Sequence, residues 1–219
     1  MPDQVLLDND VALKVACYSL VDETLVVTTI GDVPPGILGV GRFVIRGRLD
    51  RGSNIADVPR AKAAFERLLG RVELLEPDDD ELAMAADLEA EASRRDLELD
   101  GGESQLLALL LKRGCRVLVT GDKRAIVAMA IVAAGIAADK IACLEQQMAM
   151  IVDVAGVDSV RSRVCAEPLI DRAVTSCFAC TQDRAGYDDI AAGLSSYVGH
   201  LDRSAPGMLM HAFAANLFR

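Results

Sequence analysis

The chain has 219 residues, 52% of them hydrophobic, with six cysteines, no tryptophan and a formal net charge of -10. That is enough apolar material for one sizeable core. No run reaches the ~18 consecutive apolar residues of a spanning helix, and the N-terminus lacks the segments of a signal peptide, so a cytoplasmic protein with no membrane segment is expected. The acidity is local: residues 73–103 hold 13 acids and 2 bases, whereas residues 36–72 hold eight bases and three acids, so a basic face for nucleic acid is not excluded.

In chain order, Val5 to Leu7 reads as a buried strand and Val11 to about Leu20 as a helix, because Leu13, Ala16, Cys17 and Leu20 recur at helical spacing. "TLVVTTI" is strand-like, and "GDVPPGILG" reads as a turn and helix entry. Beyond it Arg42 and Arg46, four apart, share one helix face. "PRAKAAFERLLG" starts on proline and stops on glycine, as helices do. "EPDDDELAMAADLEAEASRR" is a helix with acids crowding its N-terminal end and arginines in its last turn, the arrangement the macrodipole favours. "GGESQLLALLLKRG" opens a further helix, "RVLVTGDKRAIVAMAIVAAG" gives strand, tight loop and helix, and "IACLE" is a short strand leading into "QQMAMIVDVAG". Strands separated by helices predict an α/β fold with a central parallel sheet.

The strand ending "LLDND" stops in acids, which a buried strand has no packing reason to do. In a parallel α/β sheet the loops after the strands line one crevice. Asp8 and Asp10 follow the first strand, Asp122 follows "RVLVT", and Glu103 opens the helix before that strand. Each acid alone reads equally well as a helix cap or a dipole partner. Together they form a carboxylate cluster, and such a cluster persists only when protonated or neutralised by a cation, for which oxygen donors select Mg²⁺ or Mn²⁺. A cation there suits phosphodiester hydrolysis. Positive charge on Arg42, Arg46, Arg48, Lys123 and Arg124 would then hold phosphates around the acids; for Arg48, as for Arg51, a solvated helix face is the competing reading. Aromatic residues make up only 4% of the chain, so recognition is expected to rest on backbone and shape.

The order "VLLDNDVALK", "LDGGESQLLALLLKRG", "VLVTGDKRAI" resembles the PIN-domain proteins, metal-dependent ribonucleases that include bacterial toxin components, over about residues 3–150. The resemblance implies a three-layer α/β/α fold and an endoribonuclease in which Asp8, Glu103 and Asp122 are catalytic and, with Asp10, bind the metal. It places Asn9, Asp100 and Thr120 in supporting positions. It also implies RNA as substrate and, as partners, an antitoxin-like inhibitor protein and a second copy in a homodimer. The family's further acid on an early helix has no counterpart in residues 36–49, where no acid occurs, and Asp10 or Asp100 stands nearest to replace it. That gap supports an alternative, a catalytically degenerate module that binds RNA or a protein partner. "DNDVA" also approaches the nucleophile motif of haloacid-dehalogenase-like phosphatases, but position 12 is Ala, and the Thr and Gly-Asp elements are fused in one loop.

On this reading residues 1–156 form the PIN-like α/β domain, and residues 157–219 a helical extension packed on it, with helices from Tyr187 to Leu201 and near Met208 to Leu217. Cys17, Cys115 and Cys143 lie in apolar stretches and read as core. All six cysteines are expected to be reduced thiols. Cys165, Cys177 and Cys180, with His200 or His211, are the only grouping that spells a zinc site, and a single C-x-x-C is a weak signal for one.

Overall fold

The structure, a computed structural model, describes residues 3–210. Its centre is a five-stranded, wholly parallel sheet of β1 (Val5–Leu7), β2 (Gly36–Leu38), β3 (Glu73–Leu75), β4 (Val117–Thr120) and β5 (Ile141–Cys143), in the order β3-β2-β1-β4-β5. Helices α1 (Asn9–Cys17), α2 (Val21–Thr28), α3 (Gly41–Arg51), α4 (Val58–Leu69), α5 (Asp79–Arg94), α6 (Gly101–Lys112), α7 (Lys123–Val132) and α8 (Leu144–Ala155) connect and flank the strands. Three more follow, α9 (Val157–Cys165), α10 (Arg172–Cys177) and α11 (Tyr187–Ser204).

Strand side chains alternate between faces, and the core divides accordingly. Val5, Leu7, Ile37, Val117, Val119 and Ala142 pack in one apolar cluster with α1, α2, α4 and α8. Leu6, Leu38, Leu75, Leu118, Ile141 and Cys143 pack in another with α5, α6 and α7. β1, β2, β4 and β5, three or four residues each and buried on both faces, need no polar alternation, which is why they read as short continuous apolar runs.

Two sequence expectations are corrected here. "TLVVTTI" is not a strand: Thr24 to Thr28 complete α2. Its β-branched content is overridden because the threonine hydroxyls find partners in the helical arrangement. Thr28 Oγ1 donates to the Thr24 carbonyl at 2.7 Å, and Thr24 Oγ1 accepts from Gln147 Nε2 of α8 at 3.3 Å. "GDVPPGILG" enters a strand, not a helix: the paired prolines hold the chain extended, the Pro35 carbonyl accepts from Glu73 N at 2.9 Å, and Gly36 pairs with both β1 and β3. The partner β3 is an edge strand without a continuous apolar run, so nothing in its composition announced it.

The C-terminal helices join the first core cluster through Val160, Val164, Val174, Phe178, Ile190 and Leu194. Glu167, fully buried, accepts from the backbone N–H groups of Ala56 and Asp57 at 2.6 and 3.0 Å and from Arg60 at 2.9 Å, fastening this layer to the start of α4. Met208 to Met210 are not helical but run beside β5, with Met210 N donating to the Ile141 carbonyl at 2.7 Å. The remainder of the helix expected to Leu217, and His211, lie outside the described residues.

The cysteine expectation is also corrected. Cys165 and Cys180 form a disulfide, because the turn after α10 brings their Cα atoms to 5.2 Å, while Cys17, Cys115, Cys143 and Cys177 are buried free thiols. The zinc grouping is thereby dissolved, its sulfurs being either bonded to each other or packed in the core. Closing a loop of 15 residues constrains the unfolded chain. Replacing both Cys165 and Cys180 with Ser is expected to lower stability by about 3 kcal/mol, read as a lower urea midpoint, with a slope that steepens as the unfolded chain is released.

Candidate functional site

The strand order reverses between β1 and β4, where successive connections leave in opposite directions and a crevice opens at the carboxyl edge. Asp8 closes β1 and Asp122 follows β4, one on each side of that switch point. A cleft of about 740 Å³ lies there, lined by Asp8, Asn9, Asp10, Asp100, Glu103, Asp122, Lys123 and Arg124 among others. Thr120 lies buried beneath it: its hydroxyl donates to Asp8 Oδ2 at 3.2 Å and accepts from Asp122 N at 3.1 Å, tying the two strand ends together.

The helix-cap readings prove true of the same residues that line the cleft. Asp8 Oδ1 accepts from Asn9 N at 2.6 Å, Asp122 Oδ1 from Arg124 N at 2.8 Å, and Asp100 Oδ1 from Gly102 N and Glu103 N at 2.8 and 2.9 Å. Glu103 completes a capping box by accepting from Asp100 N through Oε2 at 2.9 Å. Three helix N-termini, each capped by one of these carboxylates, thus start at one crevice, and their dipoles favour negative charge there.

The acids nonetheless strain against one another. Burial, then the neighbouring charge of Asp10, pushes the Asp8 carboxyl up to about 6. Burial, reinforced by Asp100, Asp122 and Asp8, pushes Glu103 up to about 8. An all-carboxylate oxygen set of this kind suits a hard divalent cation. Among the described residues no three acidic, His or Cys side chains converge closely enough to cage an ion outright. The fit is therefore to an ion held by one or two carboxylates at a time and otherwise by water, as Mg²⁺ is commonly bound.

Asp10 is placed differently from the other acids. Its carboxylate meets Lys14 Nζ at 2.5 Å and Arg48 at 3.7 Å, and Lys14, buried, also meets Asp171 of the α10 cap at 2.6 Å. Gly121 passes directly over this pair: a Cβ there would stand 2.5 Å from Asp10 Oδ2 and 3.0 Å from Lys14 Nζ. Lys14 escaped sequence reasoning, although its position four residues after Asp10 was the available signal.

The expected cationic ring is rearranged. Arg46 is turned away in a bidentate pair with Glu66, and Arg42 lies over the exposed ring of Phe43 at 4.7 Å; neither lines the cleft. Lys123 reaches inward to the fully buried Glu145 at 3.0 Å and over the Tyr197 ring at 4.2 Å, while Arg124 is shared between Glu98 and Asp122. Arg48, for which the sequence left open a place around the acids or a solvated face, lines the cleft, as do Val40 and Val44 at the start of α3.

No protein-family profile, no curated protein and no solved structure matches this chain. The chemistry of the site therefore rests on its geometry.

Two outcomes are expected. The folded state retains protons on Asp8 and Glu103 that the unfolded chain releases near pH 4, so stability present below about pH 4 is lost as pH rises through about 6 and then about 8. Thermal melts in EDTA between pH 6 and 8.5 should show a falling Tm, and Glu103→Gln should flatten that fall. Removing the ammonium between two carboxylates strands a buried charge, so Lys14→Met should cost roughly 3–5 kcal/mol in urea unfolding at pH 7.

Proposed function

We propose that this chain is a PIN-like, metal-dependent endoribonuclease. The observation that carries the reading is the convergence of Asp8, Glu103 and Asp122, from two strand ends and one helix start, on one cleft at the switch point of a parallel sheet. A helix cap needs one oxygen, and Glu103 and Asp122 each keep a second one, while the second oxygen of Asp8 accepts from Thr120. Glu103 Oε1 has no hydrogen-bond partner among the described residues, and Asp122 Oδ2 meets only Arg124, at 3.6 Å.

In this reading Mg²⁺ or Mn²⁺ would be held by one or two at a time of Asp8, Glu103 and Asp122 and otherwise by water, and Asp10 and Asp100 border them. Bound there, the ion supplies Lewis acidity toward a phosphodiester and makes attacking water more acidic. The chain's own contribution is positional. Thr120 fixes the spacing of Asp8 and Asp122, and Asp100 fixes Glu103 through the capping box. Arg48 and Arg124 face the same cleft and attract the phosphates of the strand. Glu103, with its raised proton affinity, is the group whose ionisation a bound cation would restore, so activity should rise with pH through neutrality.

One observation favours the second reading, a non-catalytic module that binds RNA or a protein. Lys14 already neutralises Asp10, so a protein cation occupies part of the acidic cluster. Cleavage of a mixed RNA pool separates the two. The nuclease should show Mn²⁺-stimulated cleavage that falls about 100-fold or more in Asp122→Asn, since even the outer partners of metal ligands are worth roughly 10–100-fold. A folded wild-type protein with neither cleavage nor Mn²⁺-induced stabilisation would overturn the nuclease reading and point to a degenerate site.

A further inference from the structure

Residues 166–179 run from the end of α9 through α10, and the Cys165–Cys180 disulfide closes them into a ring. Two carboxylates on this ring reach elements far earlier in the chain. Glu167 accepts from Ala56 N, Asp57 N and Arg60 at the start of α4, and Asp171 meets Lys14 of α1 at 2.6 Å. Leu169 and Ile170, just before Asp171, line a cavity of about 240 Å³ together with Leu13 and Lys14. Lys14, only 8% exposed, is thus enclosed by ring residues on one hand and by Asp10 and Gly121 of the cleft on the other.

Cutting the bond leaves other ties in place. Arg161 of α9 donates to the carbonyls of Phe178, Ala179 and Gln182 at 3.1, 3.0 and 2.6 Å, and Val164, Val174 and Phe178 stay in the core. What is lost is the closure of the stretch between them, where Ala166, Pro168 and Leu169 are exposed. A ring closure acts by limiting the conformations open to the chain once its contacts part, so its loss favours local opening of the ring over unfolding of the whole. The three sulfurs of this region differ in access. Cys165 and Cys180 are half-buried, whereas Cys177 is buried and unbonded. Burial pushes the Cys177 thiol up to about 11, so it stays protonated at neutral pH and does not attack its neighbour. A reductant must come from solution.

We propose that the Cys165–Cys180 disulfide is a redox latch on the rim of the acidic cleft: a dithiol reductant opens the ring, withdraws Asp171 from Lys14 and exposes the ammonium beside Asp10. In the exchange a thiolate of the dithiol attacks one sulfur of the bond, the S–S bond breaks, and the second thiol then displaces the mixed disulfide. Cys165 and Cys180 leave as thiols carrying the electrons and protons of the dithiol, which is oxidised to its own disulfide. Lys14 then keeps Asp10 as its carboxylate partner, so a negative charge leaves the rim and the cleft attracts cations less. The inference concerns the C-terminal layer and stands whether or not the cleft cleaves RNA.

The test compares the whole chain with itself, oxidised and treated with excess dithiothreitol, in EDTA. Short pulses of N-hydroxysuccinimidyl acetate report Lys14 and pulses of iodoacetamide report the thiols, each read by peptide mass spectrometry. Dithiothreitol should make Cys165 and Cys180 alkylatable and speed acetylation of Lys14 by about 10- to 100-fold, the gain in local opening from releasing a closure of 15 residues. The exposed Lys112 should react at an unchanged rate, and Cys115 and Cys143, in the other core cluster, should stay protected. Reoxidation with oxidised glutathione should restore the protection of Lys14. The protein carrying both Cys165→Ser and Cys180→Ser should acetylate at the fast rate with or without dithiothreitol. A bond that resists dithiothreitol in the folded chain overturns the latch, as does a Lys14 that stays protected once the bond is reduced or removed, or that reoxidation fails to protect again. Labelling of Cys115 and Cys143 together with Lys14 also overturns it, because the bond would then be a staple of the whole fold.

Discussion

The ammonium of Lys14 sits at 2.5 Å from Asp10 and 2.6 Å from Asp171, and much of the arrangement around the cleft follows from that bridge. Asp10 belongs to the first turn of α1 beside the acids, whereas Asp171 caps α10 in the C-terminal layer. A buried cation between two carboxylates repays its desolvation only when both remain in place. The bridge consequently fixes the C-terminal layer against the rim of the cleft. Attraction to Lys14 outweighs burial at Asp171 and holds its carboxyl below the usual range. Glu167, fastened to the start of α4, and the Cys165–Cys180 disulfide hold the segment between α9 and α10 in place.

The acids of the cleft serve two purposes at once, and electrostatics explains why one residue can do both. A helix N-terminus needs an acceptor and tolerates negative charge, so Asp8, Asp100 and Asp122 are locally stabilising as caps. The parallel sheet then delivers these caps to one place, because every strand ends on the same side and every following helix starts there. Local stabilisation and mutual repulsion coexist: the caps lower the cost of each charge, while crowding and burial raise it for Asp8 and Glu103. The site thus holds a tension that a proton or a cation relieves.

Legibility from sequence followed the strength of the local signal. The long helices α4, α5, α6 and α8 carried their own punctuation, with proline at the start of α4 and capping boxes at α5 and α6. The strands β1, β4 and β5 stood out as apolar runs ending in polar residues. The segment "TLVVTTI" misled because its β-branched residues favour strands in isolation, while the partner of the Thr24 hydroxyl, Gln147 of α8, lies more than a hundred residues away. The edge strand β3 carried no signal, since its pairing with β2 is its only reason to be extended. Among the cations, charge alone did not tell a phosphate ligand from a salt-bridge partner: Arg46 and Arg48 lie two residues apart on α3, yet one faces Glu66 and the other the cleft.

Hydrophobic period, helix caps and the placement of Asp8, Glu103 and Asp122 after strands or at a helix start were determined by the sequence itself, because each depends on interactions within a few residues. The parallel α/β class follows from the same local information. Tertiary structure alone decided the strand order, the turn of Arg46 and Lys123 away to Glu66 and Glu145, the disulfide between Cys165 and Cys180, and the Lys14 bridge to Asp171. These are contacts between segments far apart in the chain, and a charged or sulfur side chain carries no local mark of which distant partner it will meet.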